Sequence, residues 1–391
     1  MSRYLEKNVA VTGVGMSEVN RNTSVYPFLL AVDACKKAIA DAGLKPEDID
    51  GATCWPASID GVGEGFHSAS ISDIKATLGL NLNWYSSGEG AGQYGGINNA
   101  IAAVAAGYAN HVLCWRALGE RYPMPTGGPD DPGRLLGWRS WSAPYWAPSA
   151  VTWVSLHASV HMNRYGITRE QMAMIPITQR RNAGLNPAAI YKEPLSLDQY
   201  MSTRMISWPH CLYDCDVPCN GATAVIISRL DAAKDMPHKP VRFEAVGSAA
   251  YDRMDTWWAR DDFPRMMMHD AAEGMWKRTD LKPKDVGSAH IYDGFTYLTM
   301  LWIEALGFCK EGEVGAFIEG GQRIALDGEL PVNTNGGQLS EGRLHAFGHL
   351  HEAVVQLRGD AGARQVKDLK VSVSGVGGGG FGGALLLTNQ V

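Results

Sequence analysis

Residues 44–48 read LKPED and residues 281–285 read LKPKD, two nearly identical segments that decide the fold class. The dipeptide Asp33–Ala34 recurs as Asp270–Ala271, so the offset between the two copies is about 237 residues. Each copy has the pattern of a helix, a turn that contains proline and a short apolar strand. The chain therefore contains a duplicated α/β unit.

Three further pairs of segments match between the copies: a β-rich run closed by glycine, a helical pattern that ends at glycine, and an apolar strand. They lie at 11–15 and 243–247, at 98–107 and 349–359, and at 219–228 and 380–388. The last pair is almost continuously apolar, which is typical of strands buried on both faces. We predict an α/β fold with parallel or mixed sheets, helices packed on them and two halves related by a pseudo-twofold axis.

The composition is that of a globular protein with a large core, since 45% of the 391 residues are hydrophobic. A net charge of -6 without a basic run offers no surface for nucleic acid or for an anionic membrane. We find no signal-peptide pattern and no apolar stretch of about 18 residues, and therefore expect a cytoplasmic protein. Seven cysteines spread over the chain indicate reduced thiols.

Five long segments carry a resemblance to a known family. They are 105–121 (AAGYANHVLCWRALGER), 218–228 (PCNGATAVIIS), 291–321 (IYDGFTYLTMLWIEALGFCKEGEVGAFIEGG), 330–359 (LPVNTNGGQLSEGRLHAFGHLHEAVVQLRG) and 377–387 (GGGGFGGALLL). The chain resembles the thiolase superfamily, and within it the steroid side-chain aldolases of the sterol carrier protein X and lipid-transfer-protein branch. The resemblance implies a five-layered αβαβα fold from two βαβαβαββ halves, 1–235 and 236–391. It also implies a loop insertion at about 117–160 and an active site between the halves.

The sequence departs from the thiolases at three positions that thiolase chemistry needs. The position of the nucleophilic cysteine falls near Gly90, and Val376 lies about where the second cysteine is expected. Arg343 replaces the histidine of the Gly-His-Pro motif. Because an acyl-enzyme mechanism requires a nucleophile with an adjacent base, the sequence argues against thiolysis and Claisen condensation.

Gly90 and Gly378 match the positions whose backbone N–H groups line the thioester oxyanion hole in thiolases. The resemblance therefore implies that the chain can bind a thioester and stabilise its enolate without a covalent bond. The alternative is that these glycines only form tight turns between buried elements.

Tyr292 ends an apolar run and precedes a helical pattern that starts at about Thr296. The aldolases that the chain resembles carry a tyrosine at this strand end, which makes Tyr292 the candidate base for the hydroxyl proton in a retro-aldol cleavage. A tyrosine needs about 4 kcal/mol of phenolate stabilisation to act fully at pH 7. Arg343, where the aldolases generally carry a second tyrosine, could supply it or could bind a substrate carboxylate. Tyr292 could instead be a packed aromatic residue.

His345 is an alternative acid or base, because it lies in a matched segment and histidine titrates near pH 7. A structural hydrogen bond is the competing interpretation. His345 and His349 have a spacing that can hold zinc, but no third ligand accompanies them, and we expect no metal. Asp293 is expected to anchor the turn after the strand through backbone N–H groups.

The resemblance implies a carbon–carbon lyase that needs no cofactor. It would cleave a β-hydroxyacyl-CoA, with a steroid side chain as the expected acyl group, to a ketone or an aldehyde and a short acyl-CoA. The alternatives are a non-catalytic subunit that binds acyl-CoA or supports a partner enzyme, and a degenerate acyl-CoA acyltransferase. The resemblance further implies a homodimer that works with a small OB-fold and zinc-ribbon partner. Residues 138–153, rich in tryptophan, suit an acyl pocket or a subunit interface.

Overall fold

The computed structural model describes residues 4–22, 24–56, 69–88, 92–120, 139–147, 149–251 and 260–391. The strands in these residues are β1 (Val9–Met16), β2 (Gly51–Cys54), β3 (Trp84–Ser87), β4 (His111–Gly119), β5 (Met205–Ser207), β6 (His210–Cys211), β7 (Asn220–Arg229), β8 (Val241–Ala250), β9 (Ser288–Ile291), β10 (Val371–Gly378) and β11 (Phe381–Thr388). The α-helices are α1 (Pro27–Asp41), α2 (Ile71–Leu78), α3 (Gly95–Ala106), α4 (Arg139–Ser142), α5 (Ala150–Tyr165), α6 (Arg169–Ala183), α7 (Leu197–Ser202), α8 (Met267–Trp276), α9 (Thr296–Ala305), α10 (Val314–Ile318), α11 (Gly337–Ser340) and α12 (Ala346–Arg358). None of these described helices has the length and apolarity that a membrane span requires.

Nine strands form one mixed sheet in the order β3-β2-β4-β7-β1-β8-β11-β10-β9. β1 and β8 lie at its centre and pair antiparallel at Ala10 and Val11. Outward from this junction the two copies follow the same order: β1, β7, β4 and β2 in the first, and β8, β11, β10 and β9 in the second. β3 forms the edge of the first copy, and an isolated parallel bridge between Ala289 and Val332 lies at the corresponding edge of the second. The predicted duplicated α/β fold is confirmed.

The three largest apolar cores of the described residues separate the helices and the two half-sheets into five layers. The central core lies between the half-sheets and contains α3 and α12, with Ile97 from the first helix and Phe347 from the second. α1 and α2 pack on the outer face of the first half-sheet, and α8 and α9 pack on the outer face of the second. The two central helices meet at their N-termini, where the Ala346 N–H donates to Gln93 Oε1 at 3.2 Å.

A glycine in β1 and another in β8 let a helix lie directly on each strand. A Cβ on Gly15 would lie 2.3 Å from the carbonyl oxygen of Ala34, and one on Gly247 would lie 1.9 Å from that of Ala271. Both carbonyls belong to the repeated Asp-Ala dipeptide, in α1 and α8. The sequence suggested that Gly247 closes its strand, but β8 continues to Ala250. The physical reason for this glycine is therefore close helix packing and not the end of a strand.

The repeated proline segments have the same local structure. Pro46–Asp48 and Pro283–Asp285 are short 3-10 helices. In each, the aspartate accepts a hydrogen bond of 2.8 Å from the backbone N–H of the lysine three residues earlier. Gly107 and Gly359, predicted to end helices, follow α3 and α12 with φ of 80° and 87°. The predicted boundary between residues 235 and 236 falls between β7 and β8 and stays a prediction.

The predicted insertion at about 117–160 begins near the end of β4 and extends into α5. Residues 121–138 and 148 lie outside the described residues. Within the tryptophan-rich segment, Trp146 is 89% exposed, whereas Trp153 packs against the core beside α8 and α9. The Trp153 indole N–H donates to the Ala147 carbonyl at 2.6 Å. Trp153 therefore serves the core, and Trp146 faces solvent.

Candidate active site

Tyr292 directly follows β9, which ends at Ile291 as the sequence predicted. The Tyr292 N–H donates to the Gly375 carbonyl at 2.8 Å and so extends the parallel pairing with β10 by one residue. The half-buried ring packs against both the central core and the outer core of the second half. Trp55, at the same offset in the first copy, directly follows β2. Tyr292 therefore lies at the border between two layers of the fold.

Gly294 holds Tyr292 beside a second segment of the chain. The phenol ring lies so close to Gly294 that a Cβ there would come within 2.7 Å of ring atom Cε1 and 2.8 Å of the hydroxyl oxygen. The Gly294 carbonyl accepts the N–H of Asp216 at 3.2 Å. Next to it, Cys215 and Phe295 form an antiparallel bridge. The turn after β9 thus brings a phenol and a carboxylate together.

Arg343 joins two carboxylates in an ion-pair cluster. Its Nε and Nη2 donate to the two oxygens of Glu120 at 3.1 and 2.5 Å, and its Nη1 donates to Asp216 Oδ1 at 3.0 Å. Its backbone N–H donates to the Val217 carbonyl at 2.9 Å. Burial lowers the pKa of Arg343, but the charges of Asp216 and Glu120 outweigh burial and raise it. The guanidinium is therefore engaged by the protein itself.

The surroundings of Tyr292 keep its hydroxyl protonated. Burial is the largest effect and raises the pKa of Tyr292 above its ordinary value, and the negative charge of Asp216 raises it further. The side-chain hydrogen bond with Gln93 and the charge of Arg343 lower the pKa, but by less. Arg343 thus acts in the expected direction but is outweighed by burial and Asp216, and its tuning of Tyr292 for catalysis stays a prediction. The cation is already paired with Asp216 and Glu120, and the phenol is desolvated.

Asp216 titrates near neutral pH. Burial raises the pKa of Asp216, Arg343 lowers it, and Glu120 and Asp293 raise it, so that it lies at about 7. Asp216 is not among the site residues predicted from the sequence. A signal was present, because the segment DCDVPCNG places an acidic side chain shortly before the buried strand β7.

His345 is buried at the N-terminus of α12, with φ of 56° and ψ of -150°. Its N–H donates to Gln338 Oε1 at 3.1 Å. Its Nδ1 lies 3.5 Å from Arg116 Nη2, and its ring meets the Trp55 ring edge-on with 5.3 Å between centroids. Burial and then the charges of Arg116 and Arg343 lower the pKa of His345 well below its ordinary value. The imidazole is therefore neutral at pH 7, and its role in proton transfer stays a prediction.

Asp293 anchors the segment before α12, whereas its predicted hydrogen bonds to its own turn stay a prediction. Its Oδ2 accepts the N–H of Leu339 at 3.4 Å. Its Oδ1 lies 3.3 Å from Gln338 Nε2 and 3.2 Å from His349 Nε2. His349, the second histidine of the zinc-like spacing, thus faces a carboxylate. Among the described residues, no group of three or more His, Cys, Asp or Glu side chains is arranged to hold a metal ion.

Arg116 is a buried cation that was not predicted from the sequence. It lies in β4, fully buried, with its guanidinium 4.8 Å over the centre of the Trp55 ring. Burial lowers the pKa of Arg116 to about 9. The charge of Glu120 raises this pKa and the charge of Arg343 lowers it further. The sequence signal was a lone charge inside the apolar strand HVLCWRALG, since an arginine is rarely buried without a specific reason.

A cavity of about 360 Å³ adjoins the cluster. It is lined by the N-terminal turn of α3, by the end of β8 and by the hairpin of β10 and β11, including Gly377 and Phe381. Gln93 lines this cavity and also hydrogen-bonds Tyr292. The cavity and the phenol are therefore connected through one amide side chain.

The structure brings three of the five predicted site residues, Tyr292, Arg343 and His345, into one cluster. Gly378 is the last residue of β10, and a Cβ there would lie 3.0 Å from Leu298 of α9. Gly90 lies outside the described residues. The oxyanion hole assigned to the two glycines stays a prediction.

None of the seven cysteines has the environment of an activated nucleophile. Burial is the first cause of a raised thiol pKa in every one of them. The pKa reaches about 12 in four of them, Cys54, Cys211, Cys215 and Cys309. Because the thiolate is the reactive form, these thiols are unsuited to acyl transfer.

A thiolase C-terminal domain-like family matches residues 250–387. A steroid side-chain-cleaving aldolase from Thermomonospora curvata is 32% identical over 361 residues, which are 90% of each chain. A 17-hydroxy-3-oxo-4-pregnene-20-carboxyl-CoA lyase from Mycobacterium tuberculosis is 30% identical over 91% of this chain and 92% of the relative.

An acetyl-CoA acetyltransferase from Methanothermobacter thermautotrophicus is 32% identical over 95% of this chain and 97% of the relative. Among solved structures, the Ltp2-ChsH2(DUF35) aldolase superposes with a TM-score of 0.89 at 30% identity, covering 99% of each chain.

Proposed function

The chain belongs to the thiolase superfamily, in the group that contains the steroid side-chain-cleaving aldolases, and we propose that it is a lyase for β-hydroxyacyl-CoA thioesters. It cleaves the bond between the α and β carbons by retro-aldol chemistry, giving a ketone or an aldehyde and a short acyl-CoA. The observation that carries the proposal is the cluster after β9, where the Tyr292 phenol lies beside the Asp216 carboxylate in a chain without an activated thiol.

Retro-aldol cleavage needs a base for the hydroxyl proton and a donor for the charge that develops on the thioester. Tyr292 fits the second task, because a protonated phenol in a desolvated place is a hydrogen-bond donor and an acid. It fits the first task poorly, because burial opposes the phenolate. Gly378 and Gly90 remain the candidates for an oxyanion hole, and His345 supports the site as a neutral ring.

We propose a steroid acyl-CoA as the substrate. The name of the Mycobacterium tuberculosis relative specifies a steroid with a 17-hydroxyl and a 20-carboxyl-CoA, in which the hydroxyl carbon is β to the thioester. Cleavage of such a compound gives a 17-ketone and a short acyl-CoA. The similar aldolase of known structure is named as an assembly of two components, one of them a DUF35 protein. We therefore also propose a homodimer that works with a small OB-fold and zinc-ribbon partner.

Acyl transfer is the alternative that the acetyltransferase relative raises. It is disfavoured here because five thiols are buried, Cys215 and Cys309 are partly buried, and burial raises the pKa of all seven. The non-catalytic alternative rests on Arg343, which stands where the aldolases generally carry a second tyrosine. Arg343 holds Glu120 and Asp216 together, so it supports the architecture of the cluster whether or not the cluster is catalytic.

The test is product analysis with the purified chain, alone and co-expressed with a DUF35-type partner. The probe is 17-hydroxy-3-oxo-4-pregnene-20-carboxyl-CoA, and the control is the same thioester without the 17-hydroxyl. We expect mass spectrometry to show the 17-ketone and a short acyl-CoA from the probe and neither product from the control. Binding without cleavage in both preparations would favour the non-catalytic subunit. Transfer of an acyl group to added CoA would favour the acyltransferase.

A further inference from the structure

The two carboxylates that Arg343 holds are bound unequally. Both oxygens of Glu120 accept hydrogen bonds from the guanidinium. Asp216 accepts only through Oδ1, and no described residue donates a hydrogen bond to its Oδ2. The Asp216 side chain is 9% exposed. One oxygen of a nearly buried carboxylate is therefore left available for a ligand.

The backbone places Asp216 beside the turn that carries the phenol. The Asp216 N–H donates to the carbonyl of Gly294 at 3.2 Å, and the Tyr292 ring lies against the same glycine. The charge of Asp216 also raises the pKa of Tyr292, as expected for a carboxylate near the phenol. A hydroxyl group bound at this point would meet a proton acceptor and a proton donor together.

The charged and titratable groups around Asp216 come from four parts of the fold. They are Arg343 before α12, Glu120 after β4, Tyr292 and Asp293 after β9, and Cys215 and Cys219 before β7. The thiols and the phenol stay neutral near pH 7 because burial raises their pKa values. Besides burial, the pKa of Asp216 is therefore governed by the guanidinium of Arg343 and the carboxylates of Glu120 and Asp293.

We infer that Asp216 is the general base of the reaction, an inference that rests on the proposed lyase function. Its Oδ2 accepts the proton of the β-hydroxyl, the β carbon–oxygen bond becomes a carbonyl, and the bond between the α and β carbons breaks. The electron pair of that bond passes to the thioester as an enolate. Tyr292 gives its phenolic proton to the α carbon and recovers one from Asp216, so no net proton is gained or lost and no co-reactant is needed.

A purely structural role for Asp216, as a partner of Arg343, makes a different prediction. Asp216→Asn could lose rate whether Asp216 is a structural partner of Arg343 or the general base. Only in the second case does the rate depend on the ionisation of the Asp216 carboxyl. The pH profile therefore separates them. The matched variant is Glu120→Gln, which removes the other carboxylate of the same arginine.

The experiment measures kcat and kcat/KM for the 17-hydroxy steroid thioester from pH 5.5 to 9 in the wild type and both variants. In the wild type, kcat/KM should rise with pH through about 7, because the base must be deprotonated. Asp216→Asn should lower kcat by about 10²- to 10⁴-fold and abolish that rise, with KM within a few-fold. Glu120→Gln should keep the rise but move it to lower pH, because the Glu120 charge raises the pKa of Asp216.

Three outcomes would overturn the inference. One is a wild-type pH profile of kcat/KM without a rise below pH 8. The others are an Asp216→Asn variant that keeps the wild-type kcat, or one that keeps the rise of kcat/KM at acidic pH, called the acidic limb. If Asp216→Asn does not fold, the pH profile of the wild type and the shift of its kcat/KM rise in Glu120→Gln still test the inference. A wild type that cleaves no β-hydroxyacyl-CoA, with or without its partner, would instead remove the proposed function. The two failures are thus distinct.

Discussion

Replacing Gly294 by alanine should slow the cleavage although every polar side chain of the site is retained. The added Cβ would lie 2.8 Å from the Tyr292 hydroxyl oxygen, whereas ordinary contact begins at 3.4 Å. The phenol must therefore retreat by about 0.6 Å, and a misplacement on the order of 1 Å costs about 10²-fold in rate. We expect kcat to fall roughly 10- to 100-fold. Gly294 does not have a left-handed backbone, so the effect comes from the ring and not from backbone strain.

The assay is steady-state release of the 17-ketone, with the thermal midpoint of each variant measured by circular dichroism. Gly274→Ala in α8 is the control, because the nearest atom lies 4.0 Å from its added Cβ, and it should leave kcat unchanged. The double variant of Gly294→Ala and Tyr292→Phe should be no slower than Tyr292→Phe alone, since the positioned hydroxyl is already gone. Wild-type kcat in Gly294→Ala, at an unchanged thermal midpoint, would refute the reasoning.

Four further changes test other parts of the molecule. Tyr292→Phe should lower kcat by about 10²- to 10⁴-fold while changing stability by about 1 kcal/mol, as checked by turnover and urea unfolding; turnover at the wild-type rate across pH would make Tyr292 a packed aromatic. Cys309→Ser should leave turnover within a few-fold, and intact-mass spectrometry should find no acyl-enzyme. Arg343→Gln should move the acidic limb to higher pH, because Arg343 lowers the pKa of Asp216; an unmoved limb would contradict this coupling. Gly247→Ala should destabilise by about 1–3 kcal/mol, because its Cβ would lie 1.9 Å from a helix carbonyl; an unchanged urea midpoint would contradict it.

The parts of the fold that depend on local pattern could be predicted from the sequence. The duplicated proline turns, the C-terminal glycines of α3 and α12 and the start of α9 at Thr296 all follow from residue type and spacing within about ten positions. The end of β9 before Tyr292 belongs to the same class, because a polar pair interrupts an apolar run. The five layers came from resemblance, since no local pattern specifies how half-sheets stack.

The sequence could predict individual residues of the site, but not the contacts between residues that are far apart in the chain. Arg343 and Tyr292 were identified, but the sign of the pKa shift of Tyr292 depends on pairings across the chain. Glu120 is 223 residues from Arg343 in sequence and Asp216 is 127. No periodicity reveals such contacts, so the two carboxylates that pair with Arg343 could not be predicted. Gly247 was misjudged for the same reason, because its neighbour is a helix and not the next residue.

The repeat gives the two copies aromatic residues at corresponding points, Trp55 after β2 and Tyr292 after β9. The two have unlike neighbours: the indole carries the Arg116 guanidinium on its face, whereas the phenol lies beside the turn that holds Asp216. A scaffold with near-twofold symmetry thus encloses a centre without that symmetry. At these corresponding points only the second copy carries a hydroxyl group, so the chemistry proposed for the phenol belongs to one half of a duplicated fold.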